Sequence, residues 1–181
     1  MNDHLPPPDQ CIKYLEEAGC SEKVICHCKA VRDVAVRIAK KAQADVKLVE
    51  AGALLHDIGR SKTHDINHAI EGVRIAKQLG LPIQIILIIK RHIGAGINKE
   101  EAIRLGLPED DYIPETLEEK IVCHADSLIV HCSRQPVEDE IADALLQGLV
   151  EYAHRLRVMH AELSEICNMA VSYTHLTLPT N

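Results

Sequence analysis

Apolar residues recur at steps of three and four along almost the whole chain, and this helical spacing constrains the fold more than any other feature. The segment 21–42 carries one such apolar stripe: Val24, Cys28, Val31, Ala35, Ile38 and Ala42. Ser21, Asp45 and Asn98 are candidate N-caps, and Gly19 marks a helix end. The sequence therefore predicts an all-α protein, built as a helical bundle.

The C-terminal region is predicted to be a long amphipathic helix, because residues 137–169 form one stretch with apolar steps of four and three. We expect this helix to pack against its own domain, with a homodimer seam as the alternative. Upstream, Pro114 and Glu115 are predicted to open the preceding helix. A single domain is expected over residues 1–170, and residues 171–181, which lack a helical period, are predicted to be a non-native or disordered tail.

Composition and charge narrow the classes of function. The chain has 181 residues, a net charge of −7, no Phe and no Trp. General nucleic-acid binders and membrane binders usually display a basic face, so we expect neither activity. The longest apolar run, residues 85–89, is too short to cross a bilayer. A small phosphorylated substrate held by a few local cations remains compatible with this charge.

The chain contains seven cysteines, an odd number, and we expect no secretory leader. We interpret all seven as free thiols in a reducing compartment and the protein as cytoplasmic. A zinc knuckle at Cys26 and Cys28 is disfavoured, because no second cysteine pair has matching spacing.

The segment LLHDIGRSKTH, residues 54–64, ends an apolar helix on a histidine and an aspartate. A carboxylate is rarely buried without a partner, so His56 and Asp57 require either a local salt bridge or helix-end hydrogen bonds, or else a metal ion. Taken alone, the pair favours the first of these two explanations. Further ligating side chains lie on the apolar faces of other predicted helices: His27, His68, His92 and Asp126. Six such residues pointing inward together favour a buried metal site.

The order His27, then His56 and Asp57, then Asp126 resembles the signature of the HD superfamily of metal-dependent phosphohydrolases. The letters HDIG that begin at His56 match its HDIG subgroup, and the resemblance extends over about residues 21–133. It implies an HD-domain helical bundle in which these four residues hold a first metal ion. It also implies hydrolysis of a phosphomonoester or phosphodiester, of a nucleotide or related metabolite, by a metal-activated water.

A second metal ion is also suggested by this resemblance. In two-metal members of the superfamily, further histidines bind the second ion and the counterpart of Asp57 bridges the two. His68 and His92 stand in the right order for that role, although the gap from His56 to His68 is shorter than in the cyclic-dinucleotide phosphodiesterase branch. Substrate binding or proton relay is the alternative for either histidine. One or two divalent ions are expected, from among Mn, Fe, Co, Ni, Zn and Mg.

Two basic residues follow the HD pair. Arg60 and Lys62 are predicted to reach a phosphate of the substrate, with a solvated surface loop as the alternative for Lys62. Gly59 is predicted to permit the turn that exposes them. His64 and His124 are expected to be exposed or to support the metal ligands.

Two other functions are compatible with the sequence. A similar six-ligand set occurs in di-iron oxygenases with the HD fold, which is the first alternative. The second is a non-catalytic regulatory module in which the metal only staples the helices. Phosphate release without oxygen uptake separates hydrolysis from the first alternative. A folded but inactive Asp57→Ala variant would exclude the second.

Overall fold

The structure is a computed structural model and describes residues 4–167. Within these residues the chain forms nine α-helices: α1 Pro8–Ala18, α2 Glu22–Ala42, α3 Val46–Leu55, α4 His68–Gln78, α5 Ile83–Arg91, α6 Lys99–Arg104, α7 Leu117–Ser127, α8 Val137–Leu146 and α9 Val150–Ile166. Short 3₁₀ turns cover Ile58–Ser61 and Ile93–Ala95. Strands β1, Ile129–Val130, and β2, Ser133–Arg134, pair in an antiparallel hairpin. The predicted all-α class is confirmed.

Helix starts and stops mostly follow the side chains that the sequence offers. The side chains of Ser21, Asp45 and Asn98 accept hydrogen bonds from backbone amides in the first turns of α2, α3 and α6, which confirms the three predicted N-caps. Such a cap contributes about 1 kcal/mol to stability. Gly19 ends α1 with φ 90°, a left-handed conformation that favours glycine.

The prediction that Pro114 and Glu115 open α7 is wrong. The helix begins at Leu117, and the hydroxyl of Thr116 accepts a hydrogen bond from the amide of Glu119. Proline tolerates a helix start, but a side chain that binds a free amide defines where the first turn begins.

The C-terminal stretch is divided rather than continuous. Instead of one helix over residues 137–169, the chain forms α8 and α9, separated at Gly148, which has φ 77°. Helix α9 is the predicted amphipathic helix, and its residues Leu156, Met159 and Leu163 are buried in the core of the same domain. Packing of α9 on its own domain is therefore observed, and homodimer formation stays a prediction. The predicted tail, residues 171–181, lies outside the described residues.

Helix α3 runs through the centre of the bundle and contacts α1, α2, α5 and α7. Its residues Val49, Ala53 and Leu55 are fully buried. Gly52 lets α5 approach closely, since a Cβ there would meet Cδ1 of Ile88 at 2.6 Å. This arrangement brings the end of α3, where the HD pair lies, against the surrounding helices. None of the described helices is both long and apolar enough to span a membrane.

The interpretation of all seven cysteines as free thiols is wrong for two of them. Cys26 on α2 and Cys132 in the β1–β2 turn form a disulfide with Cα atoms 5.8 Å apart. The two residues are 106 positions apart in the sequence, so their spacing could not reveal the pair. The remaining thiols are free: Cys11, Cys20, Cys28, Cys123 and Cys167. The cytoplasmic location stays a prediction.

Candidate metal centre

The carboxylate of Asp57 lies between two pairs of histidines. Its Oδ2 is 3.8 Å from Nε2 of His27 and 3.8 Å from Nε2 of His56. Its Oδ1 is 3.2 Å from Nε2 of His68 and 3.5 Å from Nε2 of His92. Asp57 is only 2% exposed, so the charge of its carboxylate must be compensated within the protein.

Asp126 on α7 completes the cluster on one side. Its Oδ1 is 2.9 Å from Nε2 of His27 and 3.4 Å from Nε2 of His56. All six residues named as metal ligands from the sequence therefore meet at one place. Their ligand atoms form three overlapping groups, within each of which the atoms lie no more than 4.8 Å apart. These groups can hold a metal ion.

Each histidine of the cluster is oriented by a hydrogen bond from Nδ1 to a backbone carbonyl. For His56, His68 and His92, the carbonyl belongs to the residue three positions earlier, at 2.7 to 2.8 Å. His27 instead bonds the carbonyl of His131, in the β1–β2 turn, at 2.9 Å. Because a carbonyl only accepts, Nδ1 must carry a proton, and in the neutral ring the lone pair is then on Nε2.

The cluster therefore brings several lone pairs close together without enough hydrogen-bond donors to pair with them. Nε2 of His68 faces Nε2 of His92 at 3.0 Å. Nε2 of His56 and Oδ1 of Asp57 are buried without a hydrogen-bond partner among the described residues. Such groups repel unless a proton or a cation lies between them, and buried polar groups without partners are rare in proteins. The set of imidazole nitrogens and carboxylate oxygens suits a divalent cation.

Electrostatic interactions within the cluster lower the pKa values of its two carboxylates, which keeps them ionised as metal binding requires. Burial alone would raise the pKa of Asp57, but the charge of His56 and the contacts of His68 and His92 hold that pKa well below its usual range. Asp126 behaves likewise, with its pKa lowered mainly by His56 against the effect of burial. In the metal-free protein, burial opposes protonation of His56, yet Asp57 and Asp126 together raise its pKa to about 9.

A cavity of about 770 Å³ opens over the cluster. Asp57 and Asp126 contribute to its floor, and Arg60 lies at its wall. The Nε of Arg60 donates to Oδ2 of Asp57, and its Nη1 donates to the carbonyl of His64 at 3.3 Å. Lys62, by contrast, is exposed and is not among the residues that line the cavity. The structure thus brings Arg60 to the site and leaves Lys62 at the surface.

Several cavity residues were not identified from the sequence. Lys23 of α2 and His131 of the hairpin line the cavity, as do Glu140 of α8 and Tyr152 of α9. The hydroxyl of Tyr152 donates to Oε1 of Glu140 at 2.8 Å. No motif or spacing in the sequence marks these four residues as site residues; they reach the cavity because α2, α8, α9 and the hairpin all line it.

His64 and His124 have different environments. His64 is exposed and lines the cavity. His124 is only 1% exposed, so the expectation of an exposed side chain is wrong for it. Its Nε2 is 2.9 Å from Nδ1 of His160 on α9, and burial lowers its pKa to about 3. His124 therefore contributes to the α7–α9 contact.

Gly59 is required for close packing rather than for a special turn. Its φ is not positive, so the prediction that it permits a turn exposing the basic residues is wrong in its reason. A Cβ at this position would overlap the carbonyl of His68 and the amide nitrogen of Gly72. The glycine thus lets the 3₁₀ turn after Asp57 lie directly on α4, which carries His68.

The profile of the HD domain family matches residues 24–130. Over 127 residues the chain is 54% identical to an uncharacterised protein of Methanocaldococcus jannaschii, covering 67% of this chain and 75% of that protein. The chain therefore belongs to the HD domain family. This confirms the resemblance drawn from the ordered histidines and aspartates.

Two further relatives extend the comparison. A tRNA (cytidine(56)-2'-O)-methyltransferase of Thermoplasma volcanium is 43% identical over 90% of this chain but over only 48% of its own length, so the chain spans about half of that relative. The crystal structure of the phosphodiesterase PgpH HD domain of L. monocytogenes, in complex with cyclic-di-AMP, matches with a TM-score of 0.54 and 21% identity. The match covers 94% of this chain and 100% of that one, which supports the HD-type bundle.

Proposed function

We propose that this chain is a metal-dependent hydrolase of a phosphomonoester or phosphodiester, with a nucleotide or related metabolite as substrate. The observation that carries the proposal is the convergence of four imidazoles and two carboxylates at a solvent-open cavity of about 770 Å³. A cavity of this size suits a small ligand rather than a macromolecule. The related PgpH fold in complex with cyclic-di-AMP, a phosphodiester, supports the substrate class.

We assign two metal positions, with Asp57 shared between them. His27 and His56 face Oδ2 of Asp57 and Oδ1 of Asp126, so two nitrogens and two oxygens would hold one ion. His68 and His92 face Oδ1 of Asp57, so two nitrogens and one oxygen would hold the other. A bound divalent cation supplies Lewis acidity at the phosphoryl oxygens and lowers the pKa of water. The nitrogen-rich donor set suits Mn, Fe, Co, Ni or Zn better than Mg, which prefers oxygen ligands.

The residues around the floor then hold and orient the substrate. Arg60 presents a planar guanidinium at the cavity wall, a group that binds phosphate through parallel hydrogen bonds. Lys23 adds positive charge from the first turn of α2. We assign phosphate binding to Arg60 and not to Lys62, because Lys62 does not line the cavity. Asp57 and Asp126 lie beside these imidazoles at the floor and, held ionised, add negative charge for binding cations there.

Methyl transfer is not carried over from the methyltransferase relative. That protein is about twice as long as the segment it shares with this chain, and the shared segment covers 90% of this chain. The shared segment includes the residues of the HD family match, whose cluster could hold a metal ion. The name of the longer protein describes a chain with a second half that is not shared.

The test uses the purified chain, stripped with a chelator and reloaded with each divalent metal in turn. Hydrolysis is measured on a panel of nucleotides, phosphomonoesters, cyclic dinucleotides and one short RNA, as phosphate released from monoesters and as cleaved nucleotide products from diesters, with oxygen uptake recorded in parallel. We expect metal-dependent hydrolysis of a small substrate and none by the Asp57→Asn variant. Asp33→Asn, a change at an exposed carboxylate on α2, is the matched control and should retain activity.

Three results would contradict the proposal. Oxygen uptake without phosphate release would favour the di-iron oxygenase. Equal activity of a folded Asp57→Asn variant would remove the metal centre from the reaction. Cleavage confined to the RNA would exclude the small-substrate assignment.

A further inference from the structure

We infer that the Cys26–Cys132 disulfide is a redox-controlled clamp that positions His27 and thereby sets the affinity of its side of the centre for metal. The inference rests on the proposed function in that it takes His27 to be a metal ligand. Through this disulfide the β1–β2 hairpin would have a positioning role, although none of its residues is a proposed metal ligand.

Two bonds, one covalent and one hydrogen bond, connect adjacent residues of α2 to adjacent residues of the β1–β2 turn. Cys26 directly precedes His27 on α2, and Cys132 directly follows His131 in the turn. The disulfide links the cysteines, and the hydrogen bond of 2.9 Å links Nδ1 of His27 to the carbonyl of His131. The covalent link therefore fixes the carbonyl that orients the histidine ring.

The other contacts of the hairpin lie at its base and not at its turn: Ile129 is buried in the core, and the amide of Gln135 donates to the carbonyl of Leu128 at 2.8 Å. Each of its strands has two residues, and an isolated hairpin is at best marginally stable. His131 also has φ 58°, a left-handed conformation that is unfavourable for a residue with a Cβ. Such a conformation persists only where the surrounding structure enforces it. Opening the disulfide removes the covalent part of that enforcement, so the turn can relax and its carbonyl can leave His27.

Loss of that hydrogen bond acts on one side of the centre. Removing the partner that orients a metal-binding histidine typically weakens metal affinity by about 10–100-fold. His56, His68 and His92 bond carbonyls three residues earlier, and those bonds do not involve the hairpin. Reduction should therefore weaken the His27 side and leave the His68–His92 side unchanged.

Both cysteines are exposed, so a soluble reductant can reach the bond. We name the reductant by class as a dithiol. One of its thiolates attacks a sulfur of the protein disulfide, and its second thiolate resolves the mixed disulfide. The S–S bond of the protein breaks, an S–S bond forms in the reductant, and two protons end on the thiols of Cys26 and Cys132.

The first measurement counts thiols in the full chain unfolded in denaturant. Of the seven cysteines, five are free in the structure, so five should react before reduction and seven afterwards. Seven reactive thiols in protein purified under air would overturn the inference. Peptide mapping should place the bond between Cys26 and Cys132, and any other pairing would also overturn it.

The second measurement titrates the metal-free protein with Co²⁺ alone and follows its visible absorption. A phosphine reductant is used, because a dithiol would itself bind cobalt. We expect reduction to weaken one class of Co²⁺ site by about tenfold and to leave a second class unchanged. The paired Cys26→Ser and Cys132→Ser variant should show the weaker affinity with or without the phosphine, whereas Cys167→Ser should respond as the unchanged protein does.

A control for stability is needed, because removing a disulfide that closes a long loop destabilises the whole fold. Leu163→Ala removes a buried side chain of α9 and should lower the melting temperature without weakening Co²⁺ binding. If Leu163→Ala weakens Co²⁺ binding as much as reduction does, the clamp is overturned, since a general loss of stability would explain both.

The outcomes separate the clamp from the proposed function. Equal Co²⁺ affinity in both redox states overturns the clamp and leaves the hydrolase. Tighter binding after reduction, with sulfur-to-cobalt absorption, also overturns it, because the freed thiols would then be ligands themselves. Redox-sensitive Co²⁺ binding without hydrolysis of any monoester or diester in the panel supports the clamp and removes the hydrolase. Absence of Co²⁺ binding in both states overturns the clamp, and the hydrolase is then decided by the panel of metals and substrates alone.

Discussion

The two sides of the metal centre are held in place by different means. His56 and His92 each cap the end of a helix and bond a carbonyl of its last turn, and His68 bonds a carbonyl in the loop just before α4. Those orientations are local. His27 depends on a carbonyl 104 residues away, in the hairpin, and on Asp126, 99 residues away. The His68–His92 side is therefore organised by its own helices, whereas the His27–His56 side, through His27, depends in addition on the packing of the whole domain.

The local side has a simple physical basis. Carbonyls in the last turn of a helix have no partner within the helix, and a histidine at the C-cap can satisfy one of them. Ala53 and Ile89 provide these carbonyls for His56 and His92. The same bond that ends the helix therefore also aims Nε2 at Asp57. His27 lies within α2 and not at its C-terminal end, so no unpaired carbonyl of its own helix is available to orient its ring.

Replacing one histidine from each side should have the largest effect. We expect His27→Ala and His68→Ala each to remove one class of Co²⁺ site and to reduce phosphate release by about 10³-fold, because charge stabilisation in the transition state is lost. His68→Ala should keep its sensitivity to reduction, whereas His27→Ala should lose it. His154→Ala, at an exposed histidine of α9, is the control. Loss of all Co²⁺ binding in both variants would contradict the division into two sides.

Gly59→Ala should disturb the His68–His92 side of the centre by displacing the backbone of α4. The added Cβ would overlap the backbone of His68 and Gly72, which cannot yield as a flexible side chain can. We expect the free energy of unfolding to fall by about 3 kcal/mol, measured by urea denaturation. Gly148→Ala is the matched control: it has φ 77° and open space around it, so only about 1 kcal/mol should be lost. Equal losses would show that close packing at Gly59 is unimportant.

The affinity for metal should rise with pH over an unusually wide range. In the metal-free protein the carboxylates raise the pKa of His56 to about 9, so its ring binds a proton that the metal must displace. The affinity for Mn²⁺ should therefore increase by about tenfold per pH unit up to about pH 9, instead of levelling off near the pKa of free imidazole, about 6.5. Mn²⁺ titrations followed by electron paramagnetic resonance measure this. A plateau from about pH 7 would contradict the shifted pKa.

The smallest effects should come from the basic residues after the HD pair. We expect Arg60→Ala to raise KM for the phosphorylated substrate by about tenfold, because a charge-assisted hydrogen bond to phosphate is lost. Lys62→Ala should raise KM less, since Lys62 does not line the cavity. Steady-state kinetics on the best substrate of the panel compare the two variants. A larger effect at Lys62 would reverse the assignment.

Local patterns were sufficient to predict the helical class, the N-caps and the metal-ligand candidates. Ser21, Asp45 and Asn98 cap the helices that the apolar spacing outlines, and six inward residues meet at one place. Errors arose where the decisive neighbour is distant or where several local signals compete. Gly148, one glycine inside a long apolar repeat, divides the C-terminal stretch into two helices.

The sequence by itself determined which residues face inward and in what order, because a helix repeats every 3.6 residues and its apolar face must be buried. Only the tertiary structure decided that Asp57 lies between two histidine pairs, that Gly59 touches α4 and that Cys26 meets Cys132. These contacts join residues far apart along the chain. They depend on how helices cross and how closely their backbones approach. The spacing of side chains within one helix determines neither.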